Sequence, residues 1–109
     1  MVARKSEEIP VQSLIDLDRL IHEPARLTIM MLLYVVESAD FTFLMNQTGL
    51  TWGNLSSHMS KLEEAGYVAV EKKFVGKKPS TMAHLTDSGR DAFQTYRRQM
   101  QLLFDGLPD

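Results

Sequence analysis

Between Asp40 and Gly66 the chain reads "DFTFLMNQTGLTWGNLSSHMSKLEEAG", and this stretch constrains the fold more than any other. Thr42 is a plausible N-cap for a short helix, and Gly49 can stop that helix in the left-handed backbone region. Thr51 can then cap a second helix, which Gly66 ends. A short helix, a glycine-containing tight turn and a second helix make a helix-turn-helix.

The neighbouring segments supply what such a pair must pack against. Residues 1–10 read as a flexible tail, and residues 11–109 as a single domain. From Val11 to Ile21, Leu14, Leu17 and Ile21 recur at helical spacing, with Ile15 and Leu20 widening the stripe. Pro24 ends that helix and suits the first position of the next. The second helix runs to about Ser38 and is apolar nearly all round, which predicts a central buried helix. A short extended piece precedes Thr42. Tyr67 to Val75 and "STMAHLT" flank "GKKP" and predict a β-hairpin, with Lys77 and Lys78 at its tip. A last helix starts near Thr86 or Asp87, with Phe93, Tyr96, Met100, Leu103 and Leu107 spaced three and four apart. The expected class is mainly α with one small hairpin.

The helix from Thr51 to about Ala65 has two unlike faces. Leu55, Met59 and Leu62 form the inward stripe, with His58 at its margin. Gly53, Ser57, Ser60 and Glu64 point outward, flanked by Asn54, Ser56 and Lys61. A helix that only faced water would carry better helix formers such as Glu, Lys and Gln. Short polar side chains let the backbone approach another surface while donating and accepting hydrogen bonds, as base edges and phosphates require. The helix N-terminus adds partial positive charge suited to a phosphate. The composition is that of a recognition helix in a major groove.

Charge distribution agrees. Net charge is −2, yet residues 51–86 hold five basic and three acidic side chains. Four of those five, Lys72, Lys73, Lys77 and Lys78, lie within seven residues, and a local patch matters more than net charge when one face meets a polyanion. A solvated hairpin is the plain alternative.

The segment "LTWGNLSSHMSKLEEAGYVAVEKKFVGKKPSTMAHLTDSGRDAF", with "HEPARLTIM" upstream, resembles the small archaeal and bacterial winged-helix transcriptional regulators of the MarR/ArsR-like kind. The resemblance spans roughly residues 12 to 104. It implies a homodimeric, sequence-specific regulator binding a palindromic operator in double-stranded DNA. The contacts it implies fall on the helix from Thr51, including Trp52, Gly53, Asn54, Ser56, Ser57, Ser60 and Lys61. The wing from Lys73 to about Thr81 adds Lys73, Lys77 and Lys78. The family pattern often has an aromatic where this chain has Ala83, which predicts a looser wing; Trp52 replaces a more usual small or acidic residue.

Several residues carry two readings. Trp52 either packs beneath the helix pair or touches sugar and thymine methyl at a groove edge. His58 either meets a phosphate or bonds within the protein. The terminal stripes, Leu14, Leu17, Ile21, Phe93, Tyr96, Met100 and Leu103, are either core or the contact between two copies, and two leftover stripes favour a dimer. The seven methionines either fill gaps or line an effector pocket, so a small-molecule effector stays open.

Other functions are excluded or disfavoured. There is no cysteine, hence no disulfide, thiolate site or thiol nucleophile. His22, His58 and His84 lack ligand spacing, and no metal or cofactor is expected. "VGKKPST" fails as a phosphate loop because Glu71 and Lys78 stand where Gly and Ser or Thr are required. Adjacent Glu63 and Glu64 splay apart on a helix, and no catalytic constellation is present. The polar N-terminus lacks a signal-peptide core, and the longest apolar run is eight residues, which leads to the expectation of a cytoplasmic protein. From another class, a winged-helix module docking a protein instead of DNA also fits, and the acidic pI of about 5.9 favours it.

Overall fold

A computed structural model of the chain describes residues 15–109. Four helices and three strands follow in order: α1 (Pro24–Val35), β1 (Ala39–Asp40), α2 (Phe41–Thr48), α3 (Trp52–Glu64), β2 (Val68–Val75), β3 (Lys78–Leu85) and α4 (Asp87–Asp105). This is a winged helix. The sheet is antiparallel in the order β1-β3-β2.

The expected first helix differs. Val11 to Leu14 lie outside the described residues, and residues 16–23 form turns instead of continuing a helix to Ile21. Asp18 is the cause: its Oδ1 accepts the N–H groups of Leu20 at 2.9 Å and Ile21 at 3.3 Å. A short carboxylate that bonds the backbone two and three residues on offers it an alternative to the helical ladder. Its other oxygen accepts from the Tyr67 hydroxyl. Burial pushes the Tyr67 phenol up to about 12, reinforced by this bond to the Asp18 carboxyl.

Local signals set most other boundaries. Glu23 caps α1 by accepting the Arg26 N–H at 2.8 Å, with Pro24 at the first position. That N–H holds the Glu23 carboxyl below its ordinary value. The helix stops at Val35, short of Ser38, because Val36 is already extended. Asp40, rather than Thr42, caps α2: its Oδ1 accepts the Phe43 N–H at 2.7 Å. A carboxylate is the stronger acceptor for a helix N-terminus. Gly49, at φ 76, ends α2, and its N–H bonds Met45 O at 2.8 Å. Thr51 caps α3 through the Asn54 N–H at 3.2 Å.

Wing and last helix are tied together at Thr86. Its Oγ1 accepts the Gly89 N–H at 2.9 Å, capping α4, and donates to Gly66 O at 2.5 Å. The Thr86 N–H donates to Tyr67 O at 3.0 Å. The hairpin closes with Val75 opposite Lys78 around Gly76, whose φ of 66 suits a two-residue turn. Lys78 therefore lies in β3, and Pro79 sits opposite Phe74 beyond the reach of β1. A proline is tolerated there because no third strand requires its N–H.

The core joins all elements. Ile29, Met30 and Leu33 of α1, Leu44 of α2, and Leu55, Met59 and Leu62 of α3 are buried. Each such side chain contributes about 1.5–3 kcal/mol of burial. Ala83 is fully buried at the centre of the sheet, opposite both Ala39 and Val70. One face of α1 stays open, with Met31 52% and Val35 82% exposed, so this helix is central without being enclosed. Among the described residues no helix is long and apolar enough to cross a membrane.

Candidate nucleic-acid interface

The outer face of α3 is presented as the spacing requires. Thr51, Trp52, Gly53, Asn54, Ser57, Ser60 and Lys61 are exposed, and Ser56 is half-buried. Leu55, Met59 and Leu62 hold the opposite face in the core. From Thr51 to Ser60 the helix carries no Asp, Glu, Lys or Arg. A Cβ built on Gly53 meets nothing within 4 Å, so the surface there is open to a partner.

His58 turns inward. Arg26 Nη1 lies 3.1 Å from its Nδ1, and Glu23 Oε1 lies 3.9 Å away. Arginine can only donate, so Nδ1 accepts, which places the proton of the neutral ring on Nε2. Arg26 Nε also donates to Leu20 O at 2.6 Å. This cluster fastens the margin of α3 to the start of α1, and the internal reading of His58 holds.

Trp52 follows the packing reading in part. Its ring packs 5.1 Å from Phe41, yet the residue is 53% exposed. A crevice of about 250 Å³ runs from Trp52, Ser56 and Ser60 to Val70, Lys72 and Thr81 of the sheet. Lys72 thus lies beside the recognition face, although composition alone gave no reason to choose it among the wing lysines. Strand alternation explains this: Val70, Lys72 and Phe74 share one side of β2, and Glu71, Lys73 and Val75 the other. Lys73 pairs with Glu71 at 3.2 Å, both about half exposed. Such a pair is worth at most about 1 kcal/mol, so Lys73 is easily released. Lys77 and Lys78 are exposed at the tip.

The terminal stripes are partly consumed by this chain itself. Leu17, Ile21, Phe93 and Tyr96 belong to its own core, and Tyr96 Oη lies 2.7 Å from His22 Nδ1. Leu103 is also buried, Met100 is half-buried, and Leu14 lies outside the described residues. An apolar groove of about 440 Å³ remains between α1 and α4, lined by Leu27, Met31, Val35, Arg97 and Met100 among others. Farther along α4, Leu102 and Phe104 are exposed, as is Leu107 beyond it. Among the described residues no three His, Asp or Glu side chains gather as metal ligands would.

Known proteins share this arrangement. Residues 25–104 match the family model described as a winged helix DNA-binding domain. An uncharacterized protein of Methanocaldococcus jannaschii is 36% identical over 78 residues, covering 72% of this chain and 85% of that protein. A transcriptional regulator homologue from Pyrococcus horikoshii superposes with a TM-score of 0.84 at 29% identity, over 90% of this chain and 99% of that one. A Bacillus cereus protein described as a MarR-like transcription regulator shares the fold, with a TM-score of 0.65 at 16% identity over 96% and 78% of the two chains. With residues 25–104 spanning the helix pair, the wing and nearly all of α4, the chain belongs to the winged helix DNA-binding domain family.

Proposed function

We propose that the chain regulates transcription as a homodimer that reads a palindromic operator, with α3 in the major groove and the wing beside it. The observation that carries this reading is the exposed, uncharged, short-chained face from Thr51 to Ser60 next to a lysine-tipped hairpin. Asn54, Ser56, Ser57 and Ser60 read base edges, and Gly53 lets the backbone come near them. Thr51 and the helix N-terminus take a phosphate, Trp52 borders the groove, and Lys61, Lys73, Lys77 and Lys78 neutralise the backbone.

The dimer contact in this reading is the α1/α4 groove. Met31, Val35 and Met100 with the exposed end of α4 meet their counterparts in a second copy. Leu17, Ile21, Phe93, Tyr96 and Leu103 shape that surface from beneath, and Leu14, assigned to the same contact from its spacing, lies outside the described residues. Selection of bound duplexes from a random pool tests the whole. The expected result is an enriched palindrome whose half-sites lie about 10–10.5 base pairs apart. Failure of the folded chain to enrich any sequence would instead favour the protein-docking reading, which the acidic pI of about 5.9 also suits.

A further inference from the structure

The wing carries an apolar tip that its lysines do not explain. Phe74 is 75% exposed and Val75 66% exposed, the only large apolar side chains of the hairpin that find no core among the described residues. A solitary exposed ring is common on protein surfaces. Here the register makes it less solitary: Phe74 stands directly opposite exposed Pro79, on the same face of the hairpin. That face continues inward through the Lys72–Thr81 pair to Val70 and the crevice beside Trp52 and Ser60. An apolar Phe–Pro edge therefore lies in line with α3, with Lys72 on the same face of the hairpin, Lys77 at its turn, and Lys73 and Lys78 on the opposite face.

A partner for this tip must combine anionic rims with apolar surface between them. A duplex minor groove does so, with phosphates along both edges, sugar carbons on its walls, and base faces that become available where a step is unstacked, although its floor is edged by base acceptors. From Val70, the last half-buried residue of β2, to Phe74 the strand advances four residues, roughly 13 Å at about 3.3 Å each, most of the about 17 Å that half a helical repeat of DNA puts between one groove and the next. The minor groove is about 6 Å wide, enough for one ring edge. An anionic membrane also combines charge with an apolar interior, but it gives no use to the Asn and Ser face that shares this side of the molecule.

We propose that Phe74, backed by Pro79, is a minor-groove wedge that unstacks a base step next to the half-site read by α3 and bends the duplex. This rests on the DNA-binding reading above and adds to it a residue that contacts DNA without charge. Apolar wedges between base steps kink a duplex by about 20–90°.

The test uses the full chain and a duplex recovered by selection, with 2-aminopurine placed half a turn from each half-site. Wild-type protein should raise the 2-aminopurine fluorescence and bend the duplex in a phasing assay. Phe74→Ala should abolish both signals and weaken binding about tenfold or more, as expected when a base no longer stacks on an aromatic ring. The slope of log K against log salt should not change, because every lysine still meets its phosphate. Phe74→Leu should recover part of the affinity and the bend. Both variants should melt as wild type does, since the ring is exposed. Equal affinity and bend in Phe74→Ala would overturn the wedge and leave the DNA reading intact. A flattened salt slope would also overturn it, because Phe74 would then only position lysines. Loss of binding to phosphatidylserine vesicles with unchanged DNA binding would assign the tip to a membrane. A wild-type chain that binds no duplex would remove the DNA reading and the wedge with it.

Discussion

Two glycines inside helices should respond oppositely to the same methyl group, and one of them tests what the recognition face is for. Gly53 lies in the first turn of α3, exposed, with nothing within 4 Å of a built Cβ. Alanine is favoured over glycine within a helix by about 0.5–1 kcal/mol. Gly53→Ala should therefore stabilise the fold, raising the melting temperature by about 2–6 °C. If α3 approaches DNA through this backbone, the added methyl must be accommodated in a filled contact. Overpacking of that kind costs about 1–3 kcal/mol, a loss of about 5–150-fold in Kd. Thermal melting together with anisotropy titration of a selected duplex at fixed salt reads both quantities. Gly89→Ala is the contrast: its Cβ would stand 2.0 Å from Tyr67 O and 2.7 Å from Tyr67 C, both backbone atoms. The same helical gain is there overwhelmed, and a net loss of about 1–3 kcal/mol or more is expected. A Gly53→Ala variant that melts higher and binds DNA as wild type does would refute the claim that the small residue serves close approach.

Three further outcomes are expected. Met31→Glu with Val35→Glu should yield monomers by sedimentation, because both positions are exposed and line the α1/α4 groove; an intact dimer would place the interface elsewhere. Lys77→Ala with Lys78→Ala should flatten log K against log salt by roughly 2–4 across two copies, at about 0.9 for each phosphate no longer neutralised. An unchanged slope in the folded variant would detach the wing from DNA. For Tyr67, whose phenol is pushed from 10.0 to about 12, the folded state holds its proton more tightly than the unfolded chain. The associated stability is full below pH 10 and is lost as pH rises to about 12, so urea midpoints should fall over that interval. Tyr67→Phe should reduce that fall, leaving the part that comes from Tyr96, whose phenol burial also raises, while costing about 1 kcal/mol at neutral pH; an equal fall in both proteins would contradict the assignment.

What the sequence made legible was mostly local. Pro24 at the start of α1, Gly49 at the end of α2, and the caps Thr51 and Thr86 act within three residues of their own position, so reading them needs no tertiary knowledge. Asp18 and Asp40 escape such a reading for the same kind of reason in reverse. Helical spacing of Leu14, Leu17 and Ile21 outweighs a carboxylate that bonds its own backbone, and Thr42 lies two residues beyond the true cap. Periodicity also cannot say whose core a stripe fills: Phe93 and Tyr96 have the spacing of an interface but are buried within the one chain. Sorting Lys72 and Phe74 from Lys73 requires the strand register, since a lysine run reads alike from either side. Gly53 and Gly89 differ only through Tyr67, a neighbour in space and not in sequence.

The acidic balance of the whole chain bears on how α3 would sit, more than on whether its partner is a polyanion. Residues 51–60 carry no formal charge apart from the titratable His58, and Lys61 is the first cation after them. Glu63 and Glu64 follow, both exposed at the far end of the helix. Gly53 and Glu64 are eleven residues apart along α3, about 16 Å at about 1.5 Å per residue. That is about two Debye lengths at physiological ionic strength, so the Glu64 carboxylate scarcely weakens contacts made around Gly53, whereas Glu63 lines the crevice shared by Trp52, Ser56 and Ser60. Laid flat in a groove, the same carboxylates would meet phosphates directly, each at a cost of about 1 kcal/mol at 4 Å even in water. On the proposed DNA-binding reading, repulsion at one end and partial positive charge at the other would tilt the helix, lowering its N-terminus into the groove and lifting Glu64 clear. In that attitude Gly53, Asn54 and Ser57 would lie deepest, which is where the side chains are short.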